Sequence, residues 1–289
     1  MASQKTYRQQ QRRAKNKGGN PWIYVLAVIL CAVMACPVAY VAVGGFRTQG
    51  QINESPSGLP DPLVTENYTY VFTEPRHLFF TQLKNSAIIA TITTVLVVAL
   101  GMMVAFILSR YHFKGRGALY ALFAAGLMFP LTVAALPIYL VMAQLGLVGN
   151  ILGVILPQVA FALPVTVVVL VPFLRAIPVE LEEAATIDGT SRIGFFWRIL
   201  LPLSGPGAVT VAVLAFLGSW NGYMLPMLIL GGKVNNYTLP LGVANFNSEH
   251  SADMAKIMAY TSICMIPALL LFTLLQRRIV SGLTGAVKG

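Results

Sequence analysis

Charge is what this chain has least of. Only 10% of its 289 residues are Asp, Glu, Lys or Arg, whereas 56% are hydrophobic, and its mean hydropathy is +0.72. Soluble domains carry about 25% charged residues, so a water-soluble globular chain is excluded. Five stretches have no charge at all: Trp22 to Phe46, Asn85 to Ser109, Gly117 to Leu174, Ile199 to Gly232 and Ile257 to Gln276. Charge missing from the membrane argues against a secondary transporter, which would need an ionisable residue or a broken-helix pair at the midplane for ion coupling. Nor is there a GxxxxGK[ST] phosphate loop, so ATP hydrolysis is expected outside this chain. The three histidines, His77, His112 and His250, fall in different loops. The three cysteines, Cys31, Cys36 and Cys264, have neither metal-ligand spacing nor an even count, and read as packing residues. With no catalytic constellation, the chain is not expected to be an enzyme.

What is present is span after span. A bilayer core takes about 20 apolar residues per helix, and barrel strands run only about 9 to 11, so the charge-free stretches read as helices that satisfy their own backbone. The third stretch is long enough for two, with a turn at Gly146-Leu147-Val148-Gly149-Asn150, where glycine and asparagine take left-handed angles. Six transmembrane helices and an all-α fold follow. The segments are a basic tail (1–20), a first helix (21–46), a polar loop (47–83), a core (84–280) with an inserted polar island (175–204), and a tail (281–289).

Lys and Arg set the orientation. Fifteen lie on one side: Lys5, Arg8, Arg12, Arg13, Lys15, Lys17, Arg110, Lys114, Arg116, Arg175, Arg192, Arg198, Arg277, Arg278 and Lys288. Five lie on the other: Arg47, Arg76, Lys84, Lys233 and Lys256. Both termini are therefore expected in the cytoplasm, with 47–83 outside. The basic excess reports topology and contact with anionic lipid rather than nucleic acid. A secretory signal ending near Cys36 is the competing reading of the start, but the apolar run outlasts the 7 to 15 residues of about such a core. Asn53, Asn67 and Asn236 each open a glycosylation pattern too short to carry a function.

The island carries the mechanism. Pro178 suits a first helical turn, and Glu180, Glu182 and Glu183 place negative charge at the positive end of that helix. Asp188-Gly189 can stop it, Thr190 or Ser191 can cap a second helix, and Pro202 can end that one. The product is a short helix, a tight turn and another short helix, with Phe195, Phe196 and Trp197 partly exposed. Such a knob suits a groove in a cytoplasmic partner; an ordinary amphipathic interfacial loop is the other reading of the same residues.

Glu183-Ala184-Ala185, three positions, Gly189, nine positions, then Ile199-Leu200-Leu201-Pro202 resembles the EAA signature of ABC importer permeases. Lys84-Asn85-Ser86, Arg110 to Arg116, Met128-Phe129-Pro130, Ile187-Asp188-Gly189, Trp220 to Tyr223, Tyr237 to Gly242 and the terminal Gly282 to Gly289 resemble the maltose-type, multiple-sugar branch. The tail departs slightly, having one residue fewer between Thr284 and Gly285 than the best-known maltose relative. The resemblance implies a type I ABC importer transmembrane domain in the cytoplasmic membrane. It also implies a homologous second permease subunit, two ABC ATPase subunits that hold ATP and Mg, and an extracytoplasmic solute-binding protein. No cofactor is expected on this chain. Glu183, Ala184, Ala185, Asp188, Gly189, Ile199, Leu201 and Pro202 become ATPase-coupling residues, and the cargo a sugar.

A sugar path through uncharged spans needs neutral polar and aromatic groups. Candidates are Trp220, Asn221 and Tyr223 in the fifth span, Gln158 in the fourth, Gln144 ending the third, and Tyr260 with Thr261 in the sixth. Each could equally be glue between helices or an interfacial anchor. Pro130, Pro137, Pro157, Pro164 and Pro267 are candidate kinks. A permease for another solute class and a secondary transporter remain as alternatives.

Overall fold

A computed structural model describes residues 21–74, 78–246 and 253–287. The basic tail 1–20, Arg76, His77, His250 and the final Lys288-Gly289 lie outside the described residues. All described elements are helical. They divide into two compact units, residues 1–68 with 254–262, and residues 69–253 with 263–289.

In the first unit, α1 (Pro21–Gly44) exposes apolar side chains such as Leu26 and Met34, the surface a hydrocarbon-facing span requires. The polar loop behind it is organised by a residue that the sequence offered only as a topology charge. Arg47 is buried, and its Nη1 donates to the Pro56 carbonyl at 3.0 Å while Nη2 donates to the carbonyls of Ser55 and Gln51. Thr48 caps α2 (Gln49–Glu54) in a reciprocal box with Gln51. Asn67, at the start of α3 (Glu66–Thr73), is buried and its Nδ2 donates to the carbonyls of Gly45 and Arg47 at 3.0 and 2.7 Å. The first turns of α13 (Met254–Val287) bring Ala255 and Met258 against Ile52 in a small apolar core.

The second unit is built on α4 (Phe79–Arg110), α7 (Ile151–Arg175) and α10 (Gly205–Trp220). The β-branched run in α4 remains helical because hydrocarbon offers backbone groups no partner but their own helix. Its 32 residues extend about 48 Å, beyond a roughly 30 Å bilayer core, so its ends stand at or outside the interface. A Cβ added to Gly101 of α4 would lie 2.3 Å from Thr166 Cγ2 of α7. The two backbones thus approach where small residues allow it.

Among the described residues four helices are continuous, long and apolar enough to cross a membrane, and the count reaches six where each of two bent pairs is taken as one span. The expected third span is broken: α5 (Arg116–Gly126) and α6 (Leu131–Gln144) meet at 100°. Pro130, the N-cap of α6, removes a donor and biases Phe129 away from helix. The fifth is broken as well, α9 (Arg192–Leu203) meeting α10 at 77°. Pro202 does not end α9; the bend falls at Ser204, just before Gly205-Pro206, where Pro206 has no N–H to continue the ladder. Pro137, Pro157, Pro164 and Pro267 sit inside continuous helices. The fourth charge-free stretch, Ile199 to Gly232, is not one helix, because α10 stops at Trp220 and α11 (Met224–Leu230) follows. At the tail, α13 continues helically through Val287.

At the end of this unit opposite the polar island, the chain turns where glycine spacing placed it, with φ 68° at Gly146 and 75° at Gly149. Asn236 Nδ2 donates to the Gly149 carbonyl at 2.6 Å. Asn85 Nδ2 donates to the carbonyls of Asn235 and Tyr237 at 2.9 and 3.1 Å, and the Leu239 N–H to Ser86 Oγ at 2.8 Å. The Lys84-Asn85-Ser86 and Tyr237-to-Gly242 segments are therefore bonded to each other, and α12 (Leu239–Gly242) is pinned to α4.

Candidate functional site: an exposed helical knob and a polar node

The island folds as a helix, a turn and a helix. α8 (Glu180–Ile187) carries Glu180, Glu182 and Glu183 in its first turn, and starts two residues after Pro178. Gly189 has φ 78°, a left-handed angle that an L side chain rarely adopts, so it reverses the chain without strain. Ser191 caps the next helix by accepting from the Gly194 N–H at 3.1 Å. Glu183, Ala184, Asp188, Gly189 and Pro202 are exposed, Ile199 and Leu201 half-buried, and Ala185 buried. Ile187 at the tip is 86% exposed, an apolar side chain with nothing of this unit to cover it.

Phe195 and Phe196 are not partly exposed as expected. Both are buried, with Phe196 lying 5.2 Å from the Phe106 ring of α4. Only Trp197 stays outside, 60% exposed and edge-on to Phe196. Phe195 ends the first α-helical turn of α9 and Phe196 opens a widened π segment, Phe196–Leu200, and both pack in the core with Met102, Leu170 and Leu174. Ile199 and Leu200 of the signature lie on this segment, so half of the signature serves as the knob's root.

One side chain that the sequence offered only as a topology charge and as the start of the Arg110 to Arg116 segment fastens the knob. The Arg110 side chain, 2% exposed at the last residue of α4, donates through Nη2 to the carbonyls of Leu174 and Ile177 at 3.0 and 2.9 Å. Its Nε stands 3.9 Å from the Glu182 carboxylate of α8. Arg116 Nε donates to the Leu108 carbonyl at 2.9 Å, and the Arg192 guanidinium lies 5.1 Å from the Tyr111 ring centroid. Spacing on one strand of sequence cannot reveal such pairings across helices.

In the helix bundle, Gln158 of α7 forms a polar node. Its Oε1 accepts from Ser219 Oγ of α10 at 2.6 Å and from Thr93 Oγ1 of α4 at 3.3 Å. The node borders a cavity of about 360 Å³ that is also lined by Phe161, Gly222 and Tyr223. Gln158 and Tyr223 are thus brought together. Trp220 is buried, stacks on Phe216 and donates to the Cys264 carbonyl at 3.4 Å. Asn221 is exposed at the C-cap of α10. Tyr260 belongs to the first unit and is fully buried. Among the described residues, no cluster of His, Cys, Asp and Glu could hold a metal.

The described residues thus form an all-helical bundle with broken spans and a helix–turn–helix knob at one end. Residues 97–285 match the family described as "Binding-protein-dependent transport system inner membrane component", and the chain belongs to that family. It is 33% identical over 263 residues to the diacetylchitobiose uptake system permease protein NgcG of Streptomyces coelicolor, covering 90% of this chain and 86% of that one. It is 35% identical over 271 residues to the trehalose/maltose transport system permease protein MalG of Thermococcus litoralis, covering 91% and 95%. Its fold is shared, at a TM-score of 0.69 and 21% identity over 88% of this chain and 94% of the other, with a chain of a bacterial ABC transporter involved in importing the acidic polysaccharide alginate. The type I importer fold expected from the sequence is the fold observed.

Proposed function

We propose that this chain is a permease subunit of an ATP-driven, binding-protein-dependent importer of sugars or oligosaccharides. It forms the translocation path with a homologous partner. Two cytoplasmic ATPase subunits bind ATP and Mg, and an extracytoplasmic binding protein delivers the cargo. The observation that carries this reading is the knob: a structured helix–turn–helix whose signature residues Glu183, Ala184, Asp188 and Gly189 face outward, with Ile187 uncovered at the tip. Exposed apolar side chains gathered on one structured projection, Ile187 with Ile193 and Trp197, suit a docking face. The sugar class draws support from relatives named for diacetylchitobiose and trehalose/maltose transport. The neutral Gln158–Ser219–Thr93 node beside Tyr223 offers hydroxyl-matching groups and a ring.

Co-expression with the ATPase and partner permease tests the assembly, and binding-protein-dependent uptake into proteoliposomes tests the cargo. A complex that hydrolyses ATP and takes up an oligosaccharide is the expected result. Uptake driven by an ion gradient without ATP would overturn it. The fifteen-to-five Lys/Arg asymmetry supports a cytoplasmic side for both termini. In a chain with Cys31, Cys36 and Cys264 replaced, a cysteine at exposed Ser57 should then react with an impermeant reagent in intact cells, and one at exposed Ser191 should not.

A further inference from the structure

We infer that Arg110 is a positioning residue for coupling, a clasp that makes the knob and the inner ends of α4 and α7 move as one piece. The inference rests on the reading of the knob as the ATPase-docking element and names the residue that carries its motion onward. α8 touches the bundle mainly through Ala185, so its own apolar anchorage is slight. Arg110 supplies what packing does not. Its guanidinium holds the carbonyls of Leu174 and Ile177, one in the last turn of α7 and one just past it. Carbonyls at a helix C-terminus have no partner within the helix, and Nη2, which holds both, is fixed on a rigid planar fork and lies one atom beyond the place of a lysine ammonium on its flexible stem. The remaining edge of the group faces Glu182, whose side chain is 24% exposed. Three elements converge on one nearly buried cation: α4 supplies it, α7 accepts from it, and α8 balances its charge.

The consequence is mechanical. A displacement of α8 that left Arg110 behind would strip the Glu182 carboxylate from a nearly buried charge, and one that parted α4 from α7 would strip its two hydrogen bonds, each of which is costly. Phe195 and Phe196 packed on Phe106 tie the second knob helix to α4 at the same level. Force applied at the turn therefore enters α4 and α7 together.

The test uses the full reconstituted complex and reads uptake per ATP hydrolysed, beside complex yield and basal hydrolysis. Arg110→Lys keeps the charge and loses the paired carbonyl contacts; Glu182→Gln keeps the carbonyl contacts and loses the charge partner. The expected result is normal yield and basal hydrolysis with uptake per ATP lowered at least threefold in Arg110→Lys and less in Glu182→Gln. Unchanged uptake per ATP in both variants overturns the clasp. So does a fall in yield that accounts for all lost uptake in both, since that is a purely structural role. A wild-type complex with no hydrolysis linked to uptake would instead sink the underlying reading of the knob.

Discussion

At the knob end of the bundle, helices are joined by cations reaching backbone: Arg110 to the carbonyls of Leu174 and Ile177, Arg116 to that of Leu108. Midway along the same helices they are joined by neutral side chains, Gln158 with Ser219 and Thr93. The difference follows from where a helix leaves groups unsatisfied. Its last carbonyls lack intrahelical partners and sit at the negative end of the dipole, so an arginine there gains hydrogen bonds and favourable charge. In mid-span every carbonyl is already used, and a buried cation would find no such partners. Arginines that the sequence offers as topology charges thus also serve as caps between helices, whereas the mid-span node joins helices through neutral groups alone.

The largest effect should come from breaking the knob at its turn. Gly189 combines a φ of 78° with an N–H that donates to the Thr186 carbonyl at 3.0 Å. Gly189→Pro forbids both, at about 3 kcal/mol or more, so coupled uptake should fall roughly a hundredfold. Because Gly189 is exposed and far from the bundle core, yield of inserted chain should change little. Undiminished substrate-stimulated ATP hydrolysis in the variant complex would remove the knob from the coupling route.

A second break acts on the scaffold both regions share. Gly101→Ala places a Cβ 2.3 Å from Thr166 Cγ2, and overpacking of this kind costs about 1–3 kcal/mol. The melting temperature of the detergent-solubilised complex should drop. Thr166→Ser removes Cγ2 while keeping a hydroxyl able to reach the Ala162 carbonyl, as Thr166 does at 2.8 Å, and so should restore part of the loss. Equal melting temperatures for Gly101→Ala with and without Thr166→Ser would show that α4 and α7 relax apart freely.

What the sequence made legible was local. Gly189, Ser191 and the acidic first turn of α8 are short-range devices, as is the Gly146–Asn150 reversal, and each lies where spacing placed it. What escaped needed tertiary contact. Arg110 stood out only as a positive-inside residue opening a family-like segment, with no sign of what it bonds, because its partners lie 64 to 72 positions away. Phe195 and Phe196 looked exposable, because the core that buries them is supplied by α4 and α7. Pro130 was one of five candidate kinks, but that it alone of them would mark a 100° break was hidden, because an apolar run reads as one span whether it is straight or bent. The Lys84-Asn85-Ser86 and Tyr237-to-Gly242 segments were visible as separate strings and only the fold bonds them together.

Mid-span, Gln158→Leu sharpens the contrast. It deletes the acceptor of two hydrogen bonds, and side-chain bonds between membrane helices average about 0.6 and reach about 1.7 kcal/mol. Yield of the complex should therefore fall only modestly. If the node also meets solute, uptake should drop tenfold or more beyond the yield loss, since an unpaired sugar hydroxyl costs about 1–3 kcal/mol. Uptake that merely tracks yield makes the node structural glue.

The smallest effect belongs to the end opposite the knob, where neutral side chains again do the joining. Asn85→Ala removes the donors to the Asn235 and Tyr237 carbonyls while leaving Ser86 bonded to the Leu239 N–H. Each lost bond between partly exposed groups is worth about 0.5–1.5 kcal/mol, and water can replace it at this wet end. Amide exchange should therefore quicken in residues 233–239, with the core of α4 and α7 unaffected and basal ATP hydrolysis unchanged. Were Asn85→Ala instead to unbalance hydrolysis as strongly as Arg110→Lys, the knob end would lose its special standing, and coupling would have to be sought along the whole length of α4.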